Sequence, residues 1–332
     1  MLRARSCHTE APVIPSPPTP GRPSVPAIGR KDLGLLGLVP ALALLAALTP
    51  ERAWPVLADR LAGLRLALRG ARTADEVARL AAVVGARPLG LAPAPCWRAH
   101  LANNYLAWMV LLRCWARAGW RPAARLEGAA QIEAALGQGQ GGILWVAPFA
   151  FSDLVTKLAV HEAGYAVAHL SRDTHGFSTS RFGRRVLNPI QTRVERRYLA
   201  ERLVMSEERS VGPLRELAAR LKQNRLVSIT LAASGRRTRL VPFLDGYIRI
   251  ATGALALACQ TGAPILPVFT LREPDGRFAT RIEAALHADP GLARDAAIDR
   301  MLAPYLALLE SYVLRSPDQF PLPYLLTGRD AS

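Results

Sequence analysis

The stretch Gly141-Gly142-Ile143-Leu144-Trp145-Val146-Ala147-Pro148-Phe149-Ala150-Phe151-Ser152-Asp153 constrains this chain more than any other. Two glycines open a run of apolar residues that is too short for a pair of helices and too apolar for a loop. Such a run predicts a strand over 143–147 buried on both faces, as in a parallel sheet. Ser152 and Asp153 carry oxygens able to take up the orphan amide protons of a helix start, so a helix is predicted to open near Phe151. A strand running into a helix start is where parallel α/β sheets hold their chemistry. The candidate site is therefore expected at 148–153.

The flanking sequence extends the same alternation. Helices are predicted over 129–136, 151–163, 213–223, 251–259 and 295–314. Strands are predicted over 165–170, 202–205, 226–231, 265–269 and 278–284, with a Ser/Thr/Gly/Arg-rich loop at 171–185. Strands alternating with helices imply an α/β fold, a mixed but largely parallel sheet flanked by helices. This unit is expected to span 121–328.

Residues 33–120 read differently. An uncharged apolar run from Leu33 to Leu48, broken only by Gly34, Gly37 and Pro40, is shorter than the roughly 20 residues that span a bilayer upright. Arginines flank it on both sides, whereas a bias that sets orientation is one-sided. The expectation is an interfacial or membrane-dipping helix, with a single span as second choice. Over 54–69, Val56, Leu57, Leu61, Leu64 and Leu68 fall at helical spacing among arginines, which suits a bilayer interface or a surface helix packed on the core. Thr73, with Glu76 three residues on, predicts a capping box and a separate helix over 73–84. After a Pro/Gly-rich connection at 87–95, a helix over 98–119 carries Leu101, Tyr105, Trp108, Leu112 and Trp115 on one face, expected to be core. Residues 1–32, with seven prolines in the first thirty, are expected to be a disordered tail.

Charge narrows the partners. The formal net charge is +16 and arginine supplies nearly all of it, with lysine only at Lys31, Lys157 and Lys222. The excess points to anionic partners, with the arginine bias of a GC-rich genome as the alternative. Basic residues alternate with apolar ones on helices, and no aromatic RNA-binding signature is present, so a membrane surface is favoured and nucleic acid is not expected. The cysteines (Cys7, Cys96, Cys114 and Cys259) have neither disulfide nor metal spacing. No phosphate-binding glycine loop appears, and neither a metal nor a cofactor is expected.

Two blocks carry a family resemblance. One is the glycine-led strand ending at Asp153. The other is Val241-Pro242-Phe243-Leu244-Asp245-Gly246, followed by Thr252-Gly253 and by Thr261-Gly262-Ala263-Pro264-Ile265-Leu266-Pro267-Val268-Phe269. In this order they resemble the lipid A biosynthesis (lauroyl/myristoyl-type) acyltransferases of the glycerolipid acyltransferase superfamily, over 33–326. Gly253 is read as permitting close approach at a helix start and Gly262 as a helix-ending turn. Ser316-Pro317-Asp318-Gln319-Phe320 is similar to the family's closing motif, although Pro321-Leu322-Pro323-Tyr324 replaces the aromatic and basic residues that follow it there.

The resemblance implies transfer of a fatty acyl chain from an acyl carrier protein or coenzyme A thioester to a lipid or glycolipid hydroxyl. It also implies work at the cytoplasmic face of the bacterial inner membrane. The family's histidine, four residues, then acid places Asp153 at the acid. Pro148 stands where the histidine would be, and proline has no proton-accepting atom. His175, in the loop after a predicted strand, is the candidate replacement base, because neutral imidazole accepts a proton well near pH 7. Arg172, Arg236, Arg237 and Phe243 are the candidate substrate contacts. Adjacent guanidinium groups on the Gly235 turn can grip a phosphate, although by composition alone they read as a solvated charge run. A catalytically silent, lipid-binding relative is the alternative to the enzyme.

Overall fold

The structure, a computed structural model, describes residues 26–85, 91–206 and 211–328. Most of the expected tail lies outside these residues. Three helices lead: α1 (Arg30–Leu48), α2 (Trp54–Val84) and α3 (Pro93–Ala116). The α/β portion follows as β1 (Ala124–Glu127), α4 (Ala129–Gly137), β2 (Gly142–Val146), α5 (Ser152–Glu162), β3 (Val167–Arg172), α6 (Asn188–Arg196), β4 (Glu201–Met205), α7 (Val211–Lys222) and β5 (Leu226–Thr230). The hairpin β6 (Thr238–Phe243) and β7 (Gly246–Ala251) comes next. Then come α8 (Gly253–Thr261), β8 (Ile265–Arg272), β9 (Phe278–Ile282), α9 (Arg294–Arg315) and the short β10 (Leu325–Leu326).

Seven strands form the main sheet in the order β1-β9-β8-β2-β5-β3-β4, and only the β8–β9 pairing is antiparallel. The mixed, largely parallel sheet is the one expected from the alternating pattern. At its centre β2 is buried along its whole length. The two-residue period of a strand sends its side chains to two different cores. Ile143, Trp145 and Ala147 join the larger cluster, while Leu144 and Val146 join a smaller one with Ile132 and Val160. Trp145 stacks on Tyr305 of α9 with ring centroids 3.8 Å apart.

Gly141 holds φ +67°, and a Cβ there would lie 2.5 Å from the Arg225 carbonyl oxygen. Only glycine fits that entry into β2, and the Asn224 Oδ1 accepts the Gly141 amide proton at 2.9 Å. Gly262, at φ +75°, ends α8 as expected. Gly253 does not serve close approach, because a Cβ on it would meet nothing within 4 Å.

Several local expectations change. The helices expected over 54–69 and 73–84 are one continuous α2, so Thr73 lies inside a helix and caps nothing. The loop expected over 171–185 gives way to a π-helical turn at Gly183–Leu187 and then to α6. β6 and β7 form a hairpin that pairs with β10 in a separate three-stranded sheet. Pro242 is tolerated there because β6 is the edge strand.

The N-terminal helices pack on the rest of the chain through selected faces. In α1 the buried residues Asp32, Leu35, Val39, Leu42 and Ala46 recur at helical spacing, and Arg113 of α3 donates to the Ala46 and Ala47 carbonyls at 2.6 and 2.7 Å. In α2 the inward residues include Trp54, Ala58 and Ala62, whereas Val56, Leu64 and Leu68 are exposed. Leu33, Leu36, Leu44 and Leu48 of α1 are exposed as well. Among the described residues, α1 alone is long and apolar enough to cross a bilayer by length and composition. On α3, Leu101, Tyr105 and Leu112 are buried as expected, but Trp115 is exposed.

Candidate active site

Two cavities open beside the carboxyl ends of the parallel strands. The larger, about 1050 Å³, lies over the ends of β2, β3 and β5 and reaches the β5–β6 connection. The smaller, about 250 Å³, lies between α3 and the start of α5, with His100, Asn104 and Trp108 among its lining. Pro148, Asp153 and His175 line both. These three residues therefore mark the junction of the two chambers.

The loop that carries Pro148 is braced from the C-terminal segment. The Ala150 amide donates to the Gln319 carbonyl at 2.8 Å, and the Gln319 side chain pairs with the Arg272 backbone at the end of β8, accepting at 2.8 Å and donating at 2.9 Å. The helix start itself differs from expectation. Phe151 is the residue before α5, and neither Ser152 nor Asp153 makes a capping hydrogen bond. Ser152 is buried while Asp153 is exposed within the first turn, where the helix dipole favours a carboxylate.

His175 follows β3 and is held by a carboxylate that the sequence reading missed. Its Nε2 lies 2.8 Å from Oε1 of Glu195 on α6, and Glu195 is completely buried. The same oxygen accepts from the Gln191 amide at 2.8 Å, while Oε2 lies 2.9 Å from Nζ of Lys157 on α5. Burial alone would raise the Glu195 pKa, but the Lys157 ammonium and His175 draw it well below the usual carboxylate range. Burial likewise disfavours a charged His175, yet the Asp153 and Glu195 carboxylates outweigh it and raise the imidazole pKa above its ordinary value. His169 on β3, which contacts Ser228 at 3.2 Å, is driven well below its ordinary value by burial and then by Lys157. A buried carboxylate orienting an imidazole that opens onto a cavity is an arrangement suited to general base catalysis.

The other candidate residues divide. Arg172 ends β3 and donates to Ser234, at 2.9 Å to its Oγ and also to its carbonyl. Arg236 and Arg237 are exposed on the same connection and line the larger cavity together with Arg172 and Arg294. The structure thus brings Asp153, His175, Arg172, Arg236 and Arg237 to one chamber. Phe243 does not join them: it is buried in the core at the end of β6, and neither cavity includes it. Glu195 had no distinguishing signal among Arg193, Arg196 and Arg197. Lys157 had one, as a rare lysine on the apolar face of a helix in an arginine-rich chain.

Comparison with known proteins adds a family. The model of the family described as bacterial lipid A biosynthesis acyltransferase matches residues 35–321. The crystal structure of the 1-acyl-sn-glycerophosphate (LPA) acyltransferase PlsC from Thermotoga maritima aligns with 84% of this chain and 98% of that chain, at 14% sequence identity and a TM-score of 0.34. No curated protein matches the sequence.

Proposed function

The chain belongs to the bacterial lipid A biosynthesis acyltransferase family, and from that membership we infer an enzyme that moves a fatty acyl chain from a thioester of acyl carrier protein or coenzyme A to a lipid or glycolipid hydroxyl. The observation that carries this reading is the His175–Glu195 pair at the junction of two cavities. With Pro148 at the family's histidine position, His175 takes over as base. Glu195 accepts a hydrogen bond from the Nε2–H group of His175, which leaves Nδ1 as the accepting nitrogen. The acceptor hydroxyl gives its proton to His175 and attacks the thioester carbonyl, forming the new C–O bond. As the C–S bond breaks, the imidazolium returns the proton to the departing thiolate. Asp153 stabilises the imidazolium between these steps, and Arg172, Arg236 and Arg237 hold phosphate groups of donor or acceptor in the larger cavity.

Attachment to the cytoplasmic face of the inner membrane belongs to the same reading. The outward leucines of α1 and α2, with arginines close by, supply apolar contact and attraction to anionic lipid.

One feature supports a second reading. Pro148 lines both cavities, so a relative that lost its base and now only binds lipid fits the same geometry. Acyl transfer from acyl-CoA and acyl carrier protein thioesters to membrane lipid extracts separates the two. The enzyme loses about 10²- to 10⁴-fold in turnover with His175→Ala, and its rate rises with pH through a midpoint above the ordinary histidine value. Absence of wild-type turnover, with activity appearing only in Pro148→His, establishes the silent binder instead.

A further inference from the structure

We propose that Lys157 is a positioning residue for His175, fixing the imidazole through Glu195 and placing a positive charge beside it. The proposal rests on the reading of His175 as base but concerns a group that touches neither cavity. Lys157 sits one helical turn after Asp153 on α5. Its ammonium donates to the Asp153 backbone carbonyl and lies 2.9 Å from Glu195 Oε2. The side chains of Lys157 and Glu195 are 5% and 0% exposed. Two charges removed from water cost more than an apolar pair of similar volume would, so packing alone does not explain a lysine here.

The geometry gives the ammonium two effects. It occupies the Glu195 oxygen that does not face His175, so the carboxylate cannot swing away from Nε2. It also supplies positive charge to an imidazole surrounded from several elements. Asp153 and Lys157 face His175 from α5, Glu195 from α6, and His169 from β3, while Arg202 of β4 lies close to Glu195 and His169. The two carboxylates favour imidazolium and Lys157 opposes them. Without that opposition the imidazole holds its proton more tightly, so at a given pH fewer molecules offer a lone pair to the acceptor hydroxyl.

The test is a titration that needs no substrate. The full chain, labelled with ¹⁵N-histidine, is followed by NMR, and the His175 signal is identified by its absence in His175→Gln. Lys157→Gln keeps a hydrogen-bond donor near Glu195 and removes the charge. The His175 midpoint is expected to rise by about one pH unit. In the transfer assay the pH–rate limb rises with it while the KM for thioester stays constant, which a merely structural role would not produce. If Lys157→Gln does not fold, Glu195→Gln is compared with the doubly neutral Lys157→Gln/Glu195→Gln, in which the midpoint is expected to be higher. An unchanged midpoint in either comparison overturns the proposal. A shifted midpoint in a chain without thioester turnover leaves Lys157 in this role toward the imidazole and removes the reading of His175 as base.

Discussion

Replacing Glu195 by leucine tests whether the buried charge cluster exists as described. The substitution keeps an aliphatic side chain of comparable bulk but leaves Lys157 and His175 facing an apolar group inside the protein. Glu195 is completely buried and is approached by Lys157 at 2.9 Å and by His175 and Gln191 at 2.8 Å each. Breaking a buried ion pair by removing one member costs about 3–5 kcal/mol, and with three donors stranded the upper half of that range is expected. Urea unfolding followed by tryptophan fluorescence reads this directly. Lys157→Met alone falls in the same range, whereas Lys157→Met/Glu195→Leu recovers most of the loss because neither charge is left alone. Acidity adds a signature. The lowered pKa of Glu195 contributes stability that is present above its ordinary value of about 4.5 and is lost as pH falls through the folded-state value. The raised pKa of His175 contributes below about 6.5 and loses its contribution as pH rises through the folded-state value. The deficit of Glu195→Leu should therefore be widest between about pH 4.5 and 6.5. A single variant within about 0.5 kcal/mol of the parent chain, as for an ordinary surface change, refutes the cluster.

Three further outcomes follow from other parts of the molecule. Arg236→Ala/Arg237→Ala alters only exposed side chains, so unfolding should move by less than about 0.5 kcal/mol while calorimetric affinity for coenzyme A falls about tenfold or more; unchanged affinity returns both residues to the solvated surface. Gly141→Ala forces a Cβ against the Arg225 carbonyl oxygen in a left-handed backbone and should lower stability by at least about 1–2 kcal/mol, which the same urea assay measures. Changing Leu33, Leu36, Leu44 and Leu48 to serine should weaken sedimentation with anionic vesicles and leave the fold intact, since these side chains are exposed. Deleting α1 would be a poor substitute, because Leu35, Val39, Leu42 and Ala46 pack into the core.

The middle of the main sheet was legible because β2 and β8 are largely apolar runs, Gly142–Val146 and Ile265–Arg272, whereas the edge strand Ala124–Glu127 was missed because it is short and carries Arg125 and Glu127. The hairpin Thr238–Phe243 and Gly246–Ala251 was not, since each strand carries an arginine, Arg239 and Arg249, and Pro242 argues against a strand except at an edge. Its turn is also atypical, with Leu244 rather than glycine at positive φ. Helix α6 was hidden by Pro189 and by the run of arginines around Glu195, which reads as solvated charge until tertiary packing folds it inward. Thr73 offered a credible cap, but α2 continues through it; local capping preference of about 1 kcal/mol yields to helix continuity packed along α3. Among the candidate residues, Asp153, Arg172 and His175 were singled out by the family resemblance together with their place after a predicted strand or at a helix start. Glu195 was not, because nothing in its own segment marks a partnership with distant residues, and Lys157 showed only its rarity on an apolar helix face.

The brace from Gln319 to Ala150 and Arg272 has a consequence for how the protein is made. Ala150 leaves the ribosome long before the residue that secures it; at about 5–20 residues per second the interval is roughly ten to thirty seconds. During that time β2 already exists as an apolar segment, while its partner β8 and the Gln319 clamp are still to come. The nascent chain thus passes through a stage with an adhesive strand and an unsupported loop at the same place, a natural target for a holding chaperone or the membrane surface itself. A ribosome-bound intermediate stopped before residue 317 would carry Pro148, Asp153 and His175 but not the tether that sets their loop, and it would be liable to aggregate.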